Sequence, residues 1–256
     1  NGGFAMQARE FAVGARIEHL QEKINIAQYS ASHNLLPPAD YKLVSHAGTR
    51  TVFTFCMCPG GYVVPASSEC GGVVTNGMSN FQRDGKNANA ALLAQVKFSD
   101  FYRGGVLDGV EYQRKLERAA FMAGGAGYAA PVQRFADFLT GRETTSFGEV
   151  QPTYGAGTAF YDLNKIFPDY VSESMKAGIL DMEKRLHGFA DGDALLTAPE
   201  TRFSSPVRIL RGDSLESLTI AGVYPCGEGC GYSGGITSSA ADGIRIAEAI
   251  CAKYEG

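Results

Sequence analysis

The sequence predicts a mixed α/β fold, and three observations predict it. The chain opens on a strand-like alternation, and helical periodicity fills its middle. Near the C-terminus a short apolar run passes through a glycine-crowded loop into an amphipathic helix.

Taken in order, Phe11, Val13, Ala15 and Ile17 alternate with Ala12, Gly14, Arg16 and Glu18, the period of a strand. Residues 20 to 29 are expected to form a short helix, and Tyr41 to Val44 is short and apolar. Thr51 to Met57 is rich in β-formers; it is expected to stop at Pro59-Gly60-Gly61 and resume over Tyr62 to Ala66. Cys70-Gly71-Gly72 turns into Val73 to Thr75. Ala90 to Phe98 reads equally as a buried strand or a helix. The strand-rich region therefore spans 9–100.

Residues 107–190 read as helical. Val110, Leu116, Ala120 and Phe121 form an amphipathic run that ends at Gly124-Gly125. Pro131 is expected to open a helix carrying Val132, Phe135, Ala136 and Leu139, closed by Gly141. Pro168 opens a longer one through Val171, Met175, Ile179, Met182 and Leu186, closed by Gly188. Residues 142 to 160 are a turn-rich connector. Residues 191–256 hold short strands, a Ser204-Ser205-Pro206 turn and the glycine loop with its helix.

Composition narrows the function. The 256 residues carry a net charge of −4, which argues against a nucleic-acid partner. No Lys/Arg-rich run suits an anionic membrane, and no apolar stretch approaches the roughly 20 residues of a membrane span. Six cysteines in a chain of this length do not make a disulfide scaffold. They read as reduced, and the location as cytoplasmic. The chain starts at Asn1 without methionine and is in a strand within about ten residues. That start is expected of a piece excised from a longer protein, with Asn1 as a vector remnant.

The chemistry concentrates in the glycine loop. Gly222-Val223-Tyr224-Pro225-Cys226-Gly227-Glu228-Gly229-Cys230-Gly231-Tyr232-Ser233-Gly234-Gly235-Ile236 leads into a helix with Ile236, Ala240, Ile244, Ala247 and Ile250 on one face. Glycines admit a bound group close to the backbone, and the helix start favours an anion. This is the second half of a dinucleotide site. Its usual first half, G-x-G-x-x-G after an early strand, is missing: Gly60-Gly61, Gly71-Gly72 and Gly124-Gly125-Ala126-Gly127 do not fit it. The plainer reading is a loop that merely turns a strand into a helix.

Cys56-Met57-Cys58 is the second candidate. Alternation puts both thiols on one strand face beside a turn. Near a redox cofactor they could pass electrons; equally, they are inert small hydrophobes. A disulfide between i and i+2 of an extended strand is strained, and no second pair completes a zinc site. Arg202, Arg208 and Arg211 around the Ser204-Ser205-Pro206 turn, and Arg16 beside Glu18 and His19, could clamp a carboxylate or form ordinary ion pairs. His33, His46 and His187 lack metal-ligand spacing. Asn76-Gly77-Met78 and Asn87-Ala88-Asn89 have turn-forming and hydrogen-bonding chemistry, and either could line a cavity.

Several segments together resemble a known family. They are Phe11 to His19, Phe55-Cys56-Met57-Cys58-Pro59-Gly60-Gly61, Val74 to Ser79, Asn87 to Leu92, Glu200 to Ile209 and Gly222 to Gly243. They are similar to the bacterial FAD-dependent dehydrogenase-like proteins of uncharacterised substrate, distant relatives of the glutathione-reductase-like flavoproteins. Phe203 and Cys230 depart from the expected pattern, where a small polar and a small apolar residue would stand.

The resemblance implies an FAD-dependent oxidoreductase moving a hydride between a small-molecule substrate and the flavin, with NAD(P)H as a candidate reductant. Residues 1–190 would be a substrate-type domain, and residues 191–256 the last strand and helix of the FAD-binding domain. Gly227, Glu228 and Gly229 would follow a Val223-Tyr224 strand, with Glu228 toward the ribityl or pyrophosphate region. Gly234, Gly235 and Ile236 would offer amides to the flavin's pyrimidine edge. Cys56, Cys58, Arg202 and Arg208 remain the candidates for chemistry, with no metal implied, and the chain alone would be inactive.

Overall fold

In the computed structural model the described residues are 2–254. Asn1, read above as a vector remnant, lies outside them. They form two compact units, each discontinuous in sequence. One comprises residues 2–12, 96–113 and 202–254; the other comprises Val13–Gln95 and Arg114–Thr201.

The elements in order are β1 (Met6–Ala8), β2 (Phe11–Leu20), α1 (Gln21–Tyr29), β3 (Val44–Ser45), β4 (Val52–Pro65), β5 (Thr75–Ser79), β6 (Asn87–Val96), α2 (Phe98–Phe101) and α3 (Asp108–Ala123). They continue with β7 (Ala130–Arg134), α4 (Phe135–Thr140), β8 (Thr158–Phe160), α5 (Asp169–Met182), β9 (Leu195–Glu200), β10 (Val207–Ile209) and α6 (Ile236–Tyr254). The result is the mixed sheet-and-helix fold the sequence predicts.

The large sheet runs β3-β4-β6-β2-β9-β7-β8, with β5 paired to β4. Its registered pairs are antiparallel apart from β7 with β8. Of the ten residues of β2, only Leu20 is not buried, so both faces are covered and the strand need not alternate with water. The same holds for β6, which settles the Ala90 to Phe98 ambiguity in favour of a strand. Helix α5 lies close against β4: a Cβ on Gly178 would sit 2.9 Å from Val52 Cβ. Pro168 caps α5, as the sequence predicts, but the helix ends at Met182, short of the expected Leu186 and Gly188, where the chain passes into turns.

Three local expectations are corrected. β4 does not stop at Pro59-Gly60-Gly61; it runs through to Pro65 because β5 and β6 flank it, and it absorbs the irregularity as register shifts at Phe55/Cys58 and Cys58/Gly61. Pro131 does not open a helix but sits in β7, with Val132 paired to Thr197 of β9; the helix begins at Phe135 and does close at Gly141, whose φ is +68°. Val223-Tyr224 forms no strand: Val223 instead returns its carbonyl to the amide of Ser217, 2.7 Å away.

In the other unit, β1 and β10 form a two-stranded antiparallel ribbon. Phe11 packs on Phe101 and Tyr112, with ring centroids 5.1 and 5.7 Å away.

Candidate functional site

The glycine loop is built on the β1/β10 ribbon. Tyr232 anchors it: its hydroxyl donates to Ile209 O at 2.9 Å and accepts from the Arg211 amide at 3.1 Å. The Tyr232 ring lies under two guanidinium groups, Arg211 at 3.6 Å and Arg208 at 4.9 Å from its centroid. Arg211 reaches past the ring to Asp242 on α6, with Nη2–Oδ1 at 2.7 Å and Nη1–Oδ2 at 3.0 Å. That fork holds the Asp242 carboxyl down to about 2. Asp242 Oδ2 also accepts the Gly227 amide at 2.9 Å, so one buried carboxylate ties helix to loop.

Two glycines are required for shape. Gly227 has φ +72° and Gly231 has φ +83°, a region that penalises a side chain. A Cβ on Gly231 would also strike the Val207 carbonyl and come within 3.0 Å of Arg208 Cα. Arg9 and Arg208 both donate to Gly231 O, the latter at 3.0 Å.

The rest of the loop is open. A Cβ on Gly229 or Gly234 would meet nothing within 4 Å. The amides of Gly234 and Gly235 find no acceptor among the described residues, and they run into Ile236, the first residue of α6. The Glu228 side chain is half-buried and has no hydrogen-bond partner among the described residues. Burial pushes its carboxyl up. Orphan amides beside empty space are the donor set an electron-rich cofactor edge would use. The donors at this corner therefore fit a flavin edge, which Gly234, Gly235 and Ile236 would hold.

The arginine candidates separate. Arg208 and Arg211 are committed to Tyr232, Gly231, Pro225 and Asp242, so they brace the loop rather than clamp a carboxylate. Arg202 is exposed.

Cys56 and Cys58 lie in the other unit, on the irregular stretch of β4. Cys56 adopts φ +42° and is exposed, whereas Cys58 is half-buried. The register shift ends the regular alternation that would put both thiols on one face. Burial pushes the Cys58 thiol up, against the pull of Arg16. Its S–H donates to Cys56 O at 3.3 Å.

Behind the thiols sits a cluster the sequence only half disclosed. Arg16 is 0% exposed, and its five N–H donors are matched by five bonds. They reach both oxygens of Glu200 (Nη2–Oε1 at 3.0 Å), Cys56 O at 2.8 Å, Asn76 Oδ1 at 2.7 Å and Asn89 Oδ1 at 3.2 Å. Glu200 is 5% exposed; burial pushes its carboxyl up and Arg16 draws it back. A side chain on Gly77 would strike Asn89 Oδ1 and come within 2.5 Å of Arg16 Nη1. Arg16 therefore shapes the thiol segment and has no donor left for a substrate.

Beside Cys56 lies a depression of about 300 Å³ that also includes Tyr41, Phe55 and Met57. Tyr41 is 6% exposed and its hydroxyl has no partner among the described residues. Burial pushes that phenol up, which keeps it protonated as a donor.

His19, a neighbour of this cluster in sequence, is buried and neutral: burial draws it down and Nε2–H donates to Phe189 O at 2.8 Å. Among the described residues no group of three His, Cys, Asp or Glu is placed to hold a metal ion. No helix among them is long and apolar enough to cross a membrane.

Fold and loop define a class, an α/β protein with a glycine corner opening into a helix. More particularly, residues 10–203 match the family described as "FAD-dependent protein, C-terminal domain-like", and the chain belongs to that family. The chain is also 50% identical over 255 residues to an uncharacterized protein of Clostridium beijerinckii, covering 98% of this chain and 48% of that protein. It thus spans about half the length of that relative. The family match ends before the glycine loop; the similarity to the relative takes in nearly the whole chain.

Proposed function

We propose that the chain is the C-terminal part of an FAD-dependent oxidoreductase of the glutathione-reductase-like kind, acting on a small-molecule substrate in the cytoplasm. The observation that carries this reading is the open space before Gly234, where a Cβ would meet nothing, beside Gly234 and Gly235 amides that find no acceptor among the described residues, in a chain of an FAD-dependent family.

FAD bound there would supply a two-electron hydride acceptor. The chain's own part is orientation and charge. Gly234, Gly235 and Ile236 would donate amides to the cofactor edge where negative charge develops on reduction. Asp242, forked by Arg211, ties α6 to the Gly227 end of the loop. Glu228, raised by burial, would face the polar tail of the cofactor. The unit with Cys56, Cys58 and Tyr41 would receive the substrate, and NAD(P)H is the candidate reductant. The pyrophosphate-binding motif would lie in the portion of the protein outside this chain, so this chain alone would be inactive.

The test is the flavin content of the full-length polypeptide. Denatured after purification, it should release FAD in near-stoichiometric amount, and the bound flavin should bleach with a reduced nicotinamide. A colourless full-length protein would overturn the oxidoreductase reading in favour of a ligand- or partner-binding module.

A further inference from the structure

The connection from β5 to β6 breaks the usual chemistry of a turn. Its ends, Ser79 and Asn87, both pair with Gly61 of β4, so the chain between them crosses that strand. Turns favour glycine and small polar residues. Here Phe81 stands 98% exposed, and Arg83 holds φ +53°, a backbone that glycine adopts far more readily. The Arg83 side chain is exposed and has no partner among the described residues. Neither the bare ring nor the strained arginine helps the turn to form. Strain of this kind collects at ligand sites, where the surroundings hold it in place.

The surroundings do hold it. The Gly85 amide donates to Gly60 O at 3.0 Å, Ser79 Oγ donates to Pro59 O at 2.7 Å, and the Gly60 amide donates to Gln21 Oε1 at 2.7 Å. A Cβ on Gly60 would strike the Arg83 carbonyl, so glycine there lets the crossing seat on β4. Between this crossing and the Pro37-Pro38 segment lies a cavity of about 580 Å³, within the roughly 300–1,000 Å³ of small-molecule sites. Pro37, Pro38, Met57, Pro59 and Phe81 give it an apolar lining, and Arg83 is the one charged residue among those that line it.

We propose that this cavity binds a small aromatic carboxylate, with its ring among the prolines, Met57 and Phe81 and its carboxylate on Arg83. Two rigid prolines, a thioether and an aromatic ring pack well on a flat π face. A planar guanidinium fork matches a carboxylate, and no acidic residue lines the cavity to neutralise it. Met57 also lines the depression beside Cys56, so an occupant here lies next to the thiol segment. The proposal needs the cavity alone and does not depend on the flavin reading.

The test is isothermal titration of the full-length polypeptide with 1-naphthoate and with its uncharged amide, 1-naphthamide. Naphthoate should saturate a single site. Arg83→Gln should weaken naphthoate about tenfold or more and leave the amide unchanged, whereas Phe81→Ser should weaken both. Arg83→Gly relieves the backbone, so it should melt no lower than the parent and still lose the preference for naphthoate. A merely structural arginine would show there as a lower melting temperature with binding intact, and that result would overturn the proposal. Failure of naphthoate to saturate the parent would overturn it too, as would binding untouched by both Arg83→Gln and Phe81→Ser. Self-association lost in Phe81→Ser would make a second copy the occupant instead. Flavin separates the two readings: naphthoate binding in a colourless protein keeps this site and removes the cofactor, and a yellow protein that ignores naphthoate does the reverse.

Discussion

Removing the Glu200 carboxylate leaves the guanidinium of Arg16 in a site with no access to water. Arg16 is 0% exposed, and Glu200 supplies two of its five hydrogen-bond acceptors. Breaking one side of such a pair costs about 3–5 kcal/mol, because the surviving charge stays buried and uncompensated. Glu200→Ala is therefore expected to lower the free energy of unfolding by about that amount, a large part of what a domain of ordinary stability has. The double variant Arg16→Met/Glu200→Leu removes both charges and should recover much of the loss. Recovery should be incomplete. Asn76 Oδ1 keeps the Gly77 amide at 2.7 Å and Cys56 O keeps the weak Cys58 thiol, while Asn89 Oδ1 loses the Arg16 donor, at about 1–3 kcal/mol for a buried acceptor left unmet. Urea unfolding of the parent, Arg16→Met, Glu200→Leu and the double closes the cycle, with a predicted coupling of a few kcal/mol. A Glu200→Ala variant costing under about 1 kcal/mol, or strictly additive singles, would refute the account of Arg16 as a buried hub.

Other outcomes follow from single contacts. Gly77→Ala should destabilise by about 1–3 kcal/mol in thermal unfolding, since its Cβ would strike Asn89 Oδ1 and press on Arg16. The folded-state Asp242 carboxyl is lowered to about 2 from an ordinary 3.8, so its contribution is present above pH 3.8 and lost as pH falls toward 2. Asp242→Asn should cost about 1 kcal/mol at neutral pH, allowing for solvent screening, and should flatten that acid limb in pH-dependent melting. Glu18 is the opposite case: burial raises its carboxyl above the ordinary 4.5, so it lowers stability increasingly as pH rises beyond that value. Glu18→Gln, which keeps an acceptor for Thr153 and Asn87, should make the melting temperature less dependent on pH above 4.5.

Much of the fold was legible because it is written in local periodicity. The strand over Phe11 to Ile17, the helix after Leu20 and the Pro168-capped start of α5 appear as read. The errors fall where distant pairing outvotes local signals. Pro131 looks like a helix start, yet cross-strand pairing of Val132 with Thr197 holds the segment extended. Pro59-Gly60-Gly61 looks like a stop, yet neighbours on both sides carry β4 through it. Asn76 and Asn89 read as turn-forming or hydrogen-bonding residues; they make no turn but lie in strands, where their side-chain carbonyls accept from Arg16. Those contacts join residues 60 and 73 positions apart, and Glu200 lies 184 positions from Arg16. No spacing rule connects them. The glycine corner was visible because glycine is needed locally at Gly227 and Gly231; the bracing of that corner by Tyr232, Arg211 and Asp242 was not, because it needs the folded ribbon.

The central claim is that the space before Gly234 receives a flavin edge, and one substitution addresses it directly. A Cβ at Gly234 meets no neighbour among the described residues, so Gly234→Val should leave the melting temperature of this chain alone nearly unchanged while filling the cradle. The measurement is visible absorbance of the purified full-length variant beside its parent. The account predicts a yellow parent and a variant that has lost most of its flavin, by about tenfold in occupancy at limiting FAD. A variant as yellow as the parent, or a parent with no flavin band, would contradict it.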